Sequence, residues 1–135
     1  MTKILIAYDG SGSARRALEY RQRVEPEDEV AVISVVPKLI EGPPTEAYTD
    51  PSSPPEAVRT LLDEAIAILA DAGVAAEPIL VIGNPAAEIL DHAETHGIEL
   101  IVIGRAGRHG IKRFLMGTVS DRVVEHAHCD VLVVR

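Results

Sequence analysis

The chain has 135 residues, of which 47% are hydrophobic and 25% are charged, and this balance fits one folded domain with a sizeable core and excludes a disordered chain. The net charge of -8 argues against non-specific binding to nucleic acid, because most of the surface would repel a polyanion. The single cysteine, Cys129, excludes an intramolecular disulfide. The sequence also shows no signal peptide and no apolar run long enough to cross a membrane, and together these features predict a cytoplasmic protein.

The first half of the chain predicts strands that alternate with helices. Residues 3–8 form a short apolar run typical of a strand buried on both faces of a parallel sheet. Turn formers at residues 9–13 interrupt this run, and a helix is expected to continue from there to about Arg23. A second apolar strand is predicted over residues 30–36. Residues 37–55 hold six of the nine prolines and show no clear periodicity, which predicts a mobile or functional excursion.

The second half continues the alternation, with clear signals at the ends of its helices. Gly73 ends one helix, and Asn84 followed by Pro85 begins the next, because the amide can cap the helix and proline suits its first position. Pro78 restricts its strand to a sheet edge or to a strand start. The predicted elements are a helix over 58–72, a strand over 75–82, a helix from Pro85 to Gly97, a strand over 99–103, a helix beginning near Thr118 and a strand over 130–134.

Such alternation predicts an open α/β fold, in which a parallel sheet has right-handed crossovers and helices on both faces. Ligands of these sheets bind beyond the carboxyl ends of the strands, where the strand order reverses. The loop after the first strand, residues 9–13, and the loop after the fourth, residues 104–117, both lie at that end. If the two strands are neighbours, Asp9 and the second loop border one crevice.

The segment from residue 100 to residue 120 contains no acidic residue, although about three would be expected from their overall share. It joins a strand end to a helix start through a glycine-rich loop, an arrangement that suits an anion because backbone N–H groups can approach it closely. The loop is also basic, and its cations could either neutralise phosphates or simply solvate the loop; both interpretations stay open. These side chains are Arg105, Arg108, His109, Lys112 and Arg113.

The spacing Gly104-x2-Gly107-x9-Gly117-Thr118 resembles the nucleotide-binding signature of the universal stress protein family. The resemblance covers the whole chain, including the strand that leads into Asp9 and the helix start at residues 83–86. It implies an open, Rossmann-like sheet of five parallel strands in the order 3-2-1-4-5, with four helices on both faces. It also implies an ATP-binding regulatory module of the cellular stress response with slow or no hydrolysis.

The resemblance assigns ten residues to an adenine-nucleotide site. The assignment agrees with simple chemistry, since a carboxylate suits hydroxyl groups and bare N–H groups suit phosphate oxygens. The implied ligand is ATP, with Mg²⁺ or Mn²⁺ as a possible companion. The residues are Ala7 and Val35 at the adenine, Asp9 at the ribose hydroxyls or adenine edge, Gly104, Arg105 and Gly107 around the ribose and phosphates, and Gly117, Thr118, Val119 and Ser120 at the phosphate oxygens.

Two other ligand-binding classes fit the sequence less well. Residues 9–13 could form a flavin phosphate loop, but the chain has only four aromatic residues and no tryptophan to stack on an isoalloxazine. A phospho-acceptor receiver domain has a similar length, but it needs a further aspartate after the third strand, where Gly83 and Asn84 stand. Both classes are therefore disfavoured.

Two histidine groups have spacings that can ligate metal. His92 and His96 lie four residues apart on a predicted helix, beside its apolar stripe and near its end. The residues from His126 to Asp130 include two histidines and Cys129. In both cases a structural role is the favoured interpretation, because imidazoles suit a helix end and a lone thiol is commonly a small packed side chain.

The sequence shows no nucleophile–base–orienter triad, no P-loop and no dedicated water-activating base, so it predicts a regulatory module rather than an enzyme. Two alternatives remain: a slow metal-dependent ATP hydrolase or phosphotransferase using the same pocket, and a nucleotide-independent interaction protein. The resemblance also implies that strand 130–134 lies at a sheet edge. Its valines and unpaired backbone groups predict a homodimer through this strand.

Overall fold

The computed structural model of the chain describes residues 1–38, 49–105 and 119–135. Its strands are β1 (Lys3–Ala7), β2 (Glu29–Pro37), β3 (Ala76–Gly83), β4 (Leu100–Gly104) and β5 (Asp130–Val134). They form one parallel sheet in the order β3-β2-β1-β4-β5, which confirms the predicted topology. Pro78 lies on β3, an edge strand, where a missing backbone donor is tolerated.

The helices of the described residues are α1 (Gly12–Ala17), α2 (Pro55–Asp71), α3 (Pro85–Thr95) and α4 (Val119–His126). The helix expected to continue to Arg23 instead changes type, since a 3-10 helix over Leu18–Arg23 follows α1 directly. Tightening of this kind is common at helix ends, where i to i+3 hydrogen bonds satisfy the last carbonyls. Here the Val24 N–H donates to the Arg21 carbonyl at 3.2 Å, and the Arg21 guanidinium donates to the Leu18 carbonyl at 3.1 Å.

Each face of the sheet carries its own hydrophobic core, because successive side chains of a strand point to opposite faces. On β1, Ile4 and Ile6 face the core shared with α1 and α2, together with Tyr8 just beyond the strand. Leu5 and Ala7 face the other core, which α3 and α4 cover. The sheet is therefore buried on both sides at its centre, as the continuous apolar run of β1 predicts.

The helix-end signals of the second half are confirmed at the positions where the structure describes them. Asn84 caps α3, since its Oδ1 accepts from the Ala87 N–H at 3.0 Å, and Pro85 is the first helical residue. Gly73 follows α2 with φ of +82°, a backbone conformation that glycine adopts without the strain of a Cβ atom. The Val74 N–H then donates to the Leu69 carbonyl at 2.9 Å, which closes the helix end.

Two predicted features fall wholly or partly outside the described residues. Most of the proline-rich excursion lies at residues 39–48, and its described ends meet in an antiparallel bridge between Lys38 and Thr49. Thr118, near which the fourth helix is predicted to begin, also lies outside them. Among the described residues, no helix has both the length and the apolar character needed to cross a membrane.

Candidate functional site

The strand order reverses between β1 and β4, and this is where the candidate site lies. From β1 the chain continues to β2 and β3 on one side of the sheet, and β4 and β5 then extend the other side. Ala7 pairs with Ile103, so Asp9 and Arg105 each lie two residues beyond that pair at the carboxyl edge. An open α/β sheet binds its ligands at such a point.

Asp9 occupies a turn that fixes its carboxylate at the end of β1. One oxygen, Oδ1, accepts from the Ser11 N–H at 2.9 Å, an arrangement in which the side chain stabilises the turn. Ser11 in turn caps α1, because its hydroxyl accepts from the Ala14 N–H at 3.2 Å. The carboxylate predicted to meet the nucleoside is therefore held between a strand end and a helix start.

Tyr8 anchors the backbone immediately before Asp9, although sequence reasoning gave it no role. Its N–H donates to the Ile33 carbonyl at 2.9 Å, and its carbonyl accepts from the Ser34 hydroxyl at 2.7 Å. Ser34 is almost fully buried within an apolar strand. A lone hydroxyl residue inside the run of residues 30–36 was the signal for this contact, since a buried polar group needs a partner.

The Tyr8 side chain points to the face covered by α2, where it joins a small polar group. Its hydroxyl lies 3.2 Å from Glu64 Oε1, and Arg15 Nη2 lies 3.4 Å from the same oxygen. Burial raises the pKa of the Tyr8 phenol above its usual value of 10.0, so the phenol stays protonated at neutral pH. This group links α1 to α2 and has no evident catalytic function.

Gly104 lies where the end of β4 packs closely against the start of α1. A Cβ atom built on it would lie 2.6 Å from the backbone nitrogen of Ala14 and 2.6 Å from the hydroxyl oxygen of Ser13. Real Cβ atoms essentially never approach other heavy atoms so closely. Glycine is thus required here by packing within the fold, apart from the nucleotide contact that the resemblance implies.

Arg105 and Ser120 join the two ends of the acid-free loop. The Arg105 N–H donates to the Val134 carbonyl at 2.6 Å, which extends the pairing of β4 with β5. The Arg105 carbonyl accepts from the Ser120 hydroxyl at 3.0 Å, and Ser120 is only 2% exposed. The described residues on the two sides of 106–118 are therefore joined by a direct hydrogen bond.

The two residues predicted to contact adenine lie on one face of the sheet. Ala7 is buried and Val35 is half-buried, and both belong to the core on the side of α3 and α4. Val119, at the start of α4, packs partly against the same core. These apolar groups border the end of the sheet at which Asp9 and Gly104 also lie.

The structure thus brings seven of the ten predicted site residues to one end of the sheet. The other three, Gly107, Gly117 and Thr118, lie outside the described residues, as do the basic side chains from Arg108 to Arg113. The seven are Ala7, Asp9, Val35, Gly104, Arg105, Val119 and Ser120.

The histidine groups singled out in the sequence lie away from this site. His92 and His96 occupy the C-terminal end of α3, where the Lys3 ammonium at the start of β1 lies 3.4 Å from the His96 carbonyl. Burial raises the pKa of the Cys129 thiol, and the Asp130 carboxylate raises it further, which disfavours a reactive thiolate. Within residues 1–38, 49–105 and 119–135, no three histidine, cysteine or acidic side chains form a metal-binding group.

Comparison with known proteins agrees with the fold. The model of the universal stress protein family matches residues 1–135. Universal stress protein YxiE of Bacillus subtilis is 33% identical, over 98% of both chains. Protein MJ0577 of Methanocaldococcus jannaschii is similar in structure, with a TM-score of 0.72 and 27% identity over 98% of this chain and 94% of that one. The universal stress protein from Archaeoglobus fulgidus in complex with dAMP has a TM-score of 0.69 and 25% identity, over 100% and 98%.

Proposed function

The chain belongs to the universal stress protein family, and from this premise we propose that it is an ATP-binding regulatory module of the cellular stress response. The observation that carries the proposal is the position of Asp9 and Arg105 at the ends of adjacent parallel strands, where the strand order reverses. Arg105 opens directly into a glycine-rich segment without acidic residues. We therefore assign the nucleoside contact to Asp9 and the phosphate contacts to the loop that Arg105 begins.

The nucleoside half of the site fits the residues on the side of β1 and β2. A carboxylate has about four acceptor sites, so Asp9 can hold the Ser11 N–H and still accept from ribose hydroxyls. Ala7 and Val35 present apolar surface to the flat adenine ring. Such a combination of apolar walls with a few fixed polar groups is typical of small-ligand sites.

The phosphate half of the site belongs to the loop between Arg105 and Ser120. Backbone N–H groups of Gly107, Gly117 and Thr118 are assigned to phosphate oxygens, with Val119 at the helix start beside them. Ser120 has a positioning role in this proposal, because its hydroxyl donates to the Arg105 carbonyl and holds the two loop ends together. When Mg²⁺ or Mn²⁺ accompanies ATP, it offsets the phosphate charge.

One observation supports an adenine nucleotide as the ligand, and a second supports ATP over a monophosphate. The similar protein from Archaeoglobus fulgidus was solved with dAMP, which supports an adenine nucleotide. The loop of this chain carries four cationic side chains within nine residues, more positive charge than one phosphate requires; they are Arg105, Arg108, Lys112 and Arg113.

Calorimetric titration with ATP, GTP and ATP without metal tests the proposal. ATP should bind, and GTP should not compete with it. Gly117→Val should abolish the heat of ATP binding with little loss of stability, because the valine side chain would take the space of a phosphate. Gly97→Asn is the matched control, since Gly97 has φ of +65°, which asparagine tolerates, and lies outside the proposed site. Absence of ATP binding at millimolar concentration would refute the proposal.

The proposal includes slow or no turnover. No residue of the described site combines a nucleophile with an adjacent base, and the carboxylate of Asp9 is assigned to the nucleoside rather than to the γ-phosphate. Hydrolysis should therefore be far below the roughly 1–100 s⁻¹ of kinases. A metal-dependent rate within that range, abolished by Gly117→Val, would establish the enzyme alternative instead.

The proposed module is a homodimer formed through β5. This strand is at the edge of the sheet, and Leu132 and Val133 are 39% and 37% exposed. An exposed apolar edge strand is a template for pairing with another chain. Two copies related by a two-fold axis would pair the backbone N–H and C=O groups along the outer side of β5 and cover these side chains.

A further inference from the structure

His92 and His96 form a close pair at the C-terminal end of α3. Their ring centroids are 3.9 Å apart, and the ring planes differ by 18°. Residues four apart on a helix share one face, and two histidines at this spacing can bind one metal ion together. The pair lies near the amino-terminal end of β1, whereas the proposed nucleotide site lies at the carboxyl ends of the strands.

The hydrogen bonding of His96 prepares one of its nitrogens for a cation. Its Nδ1 lies 3.1 Å from the His92 carbonyl oxygen. Because a carbonyl can only accept, Nδ1 must carry the proton in this contact, and the neutral ring then has its lone pair on Nε2. Metal-binding histidines generally donate their other ring nitrogen to a carbonyl or carboxylate in this way, which fixes both tautomer and orientation.

Two carboxylates and the end of α3 provide negative charge near the pair. The carboxylates of Glu77 on β3 and Asp91 on α3 act on His92 electrostatically and raise its pKa, although burial and His96 outweigh them and lower it overall. The C-terminal end of a helix also carries partial negative charge. The Lys3 ammonium lies 3.4 Å from the His96 carbonyl oxygen, but it also lies 3.8 Å from a Glu29 oxygen, which offsets its positive charge.

We propose that His92 and His96 form a binding site for a divalent transition-metal ion of the zinc class. His96 binds through Nε2 and keeps its Nδ1 hydrogen bond, while the His92 ring turns from its stacked position to bring a ring nitrogen to the same ion. Water completes the coordination shell, because no third histidine, cysteine or carboxylate among the described residues is arranged to join the pair as a ligand. Imidazole suits Zn²⁺, Ni²⁺ and Cu²⁺, whereas Mg²⁺ prefers oxygen ligands.

Titration of the whole protein with Zn²⁺ alone, followed by calorimetry and by the imidazole signals in NMR spectra, tests the site. Zn²⁺ should shift the ring signals of His92 and His96, and Mg²⁺ should not. His92→Gln and His96→Gln should each weaken this binding at least about tenfold. His96 is exposed, so its variant should fold normally.

The double variant His126→Gln/His128→Gln is the control, because these histidines lie beside Cys129 and could bind zinc on their own. It should leave the zinc response of His92 and His96 unchanged. The proposal fails if Zn²⁺ does not bind, or if binding survives both single variants and disappears in the control. Nucleotide titration is not part of this readout, so the metal site and the proposed function can fail independently.

Discussion

The Cα atom of Gly104 lies so near the start of α1 that a Cβ atom added to it would come within 2.6 Å of the Ala14 backbone nitrogen. The last residue of β4 and the first turn of α1 thus fit together only because position 104 has no side chain. A glycine expected from the sequence to serve a nucleotide also sets the distance between a strand and a helix. The two roles lead to separable tests.

Gly104→Ala should lower the free energy of unfolding by about 1–3 kcal/mol, the usual cost of forcing an extra carbon into a packed region. Backbone and a buried serine surround the site, so no flexible side-chain end can move aside cheaply. Urea unfolding measures the change. Gly12→Ala is the matched control, because among the described residues a Cβ there would meet only the Arg16 side chain, at 3.5 Å. Equal stability of the two variants would contradict the packing role.

Asp9→Ala should weaken ATP binding about ten- to a hundredfold while leaving inorganic triphosphate binding almost unchanged. A hydrogen bond to a charged group contributes about 1.5–3 kcal/mol, and the proposed partner of Asp9 is the nucleoside. Calorimetry with both ligands makes the comparison. Asp50→Ala is the control, since Asp50 Oδ1 also accepts from the N–H two residues ahead, at 2.9 Å. An equal loss of both ligands would exclude a nucleoside contact.

Ser120→Ala should destabilise the fold by about 1–3 kcal/mol, because it leaves the Arg105 carbonyl without the hydroxyl donor that meets it at 3.0 Å. It should also weaken ATP binding, since the ends of the phosphate loop would no longer be joined. Thr60→Ala removes a hydroxyl-to-carbonyl hydrogen bond of the same length from the exposed side of α2 and should destabilise the fold less. Unchanged stability and unchanged ATP affinity in Ser120→Ala would show that the contact is dispensable.

The fold could be predicted because each element carries a local signal. The apolar run of β1 and the cap at Asn84 are properties of a few adjacent residues. Because crossovers between parallel strands are right-handed, only a few sheet topologies are then compatible with the order of the elements. The 3-10 segment over Leu18–Arg23 was missed, because its residue pattern also suits an α-helix and only the hydrogen bonds distinguish the two.

The candidate site could be predicted only in part. Asp9 and the glycines have a recognisable spacing, but the hydrogen bond from Ser120 to Arg105 joins residues 15 apart, and no local pattern reports such a pair. Likewise, the packing role of Gly104 depends on where α1 begins relative to β4. Tertiary contacts of this kind become visible only when both elements have been positioned.

His92 should make the protein less stable in mild acid. Burial lowers the pKa of its imidazole below the usual 6.5 and His96 lowers it further, while Glu77 and Asp91 act in the opposite direction. A folded-state pKa below the unfolded value means that stability is retained above about pH 6.5 and is lost as the pH falls through the folded-state pKa.

Urea unfolding is measured between pH 8 and pH 5, in EDTA so that no metal competes with protons. The free energy of unfolding should fall less toward pH 5 for His92→Gln than for the unmodified chain. Asp28 also has a lowered pKa, through backbone hydrogen bonds from Glu25 and Thr2, but its usual value of 3.8 places its effect in stronger acid. Identical pH dependence in the two proteins would assign the acid sensitivity to other groups.

The edge strand β5 should mediate dimerisation, and Leu132→Lys should abolish it. Leu132 is 39% exposed, so a lysine there can reach water in the monomer, whereas in a paired edge it would bring a charge into an apolar interface. Sedimentation at micromolar concentrations should give a dimer for the unmodified chain and a monomer for the variant, with similar unfolding midpoints at low concentration. Glu27→Lys in the exposed turn before β2 adds positive charge away from the edge and should remain dimeric. A monomer at every concentration for the unmodified chain would exclude this dimer.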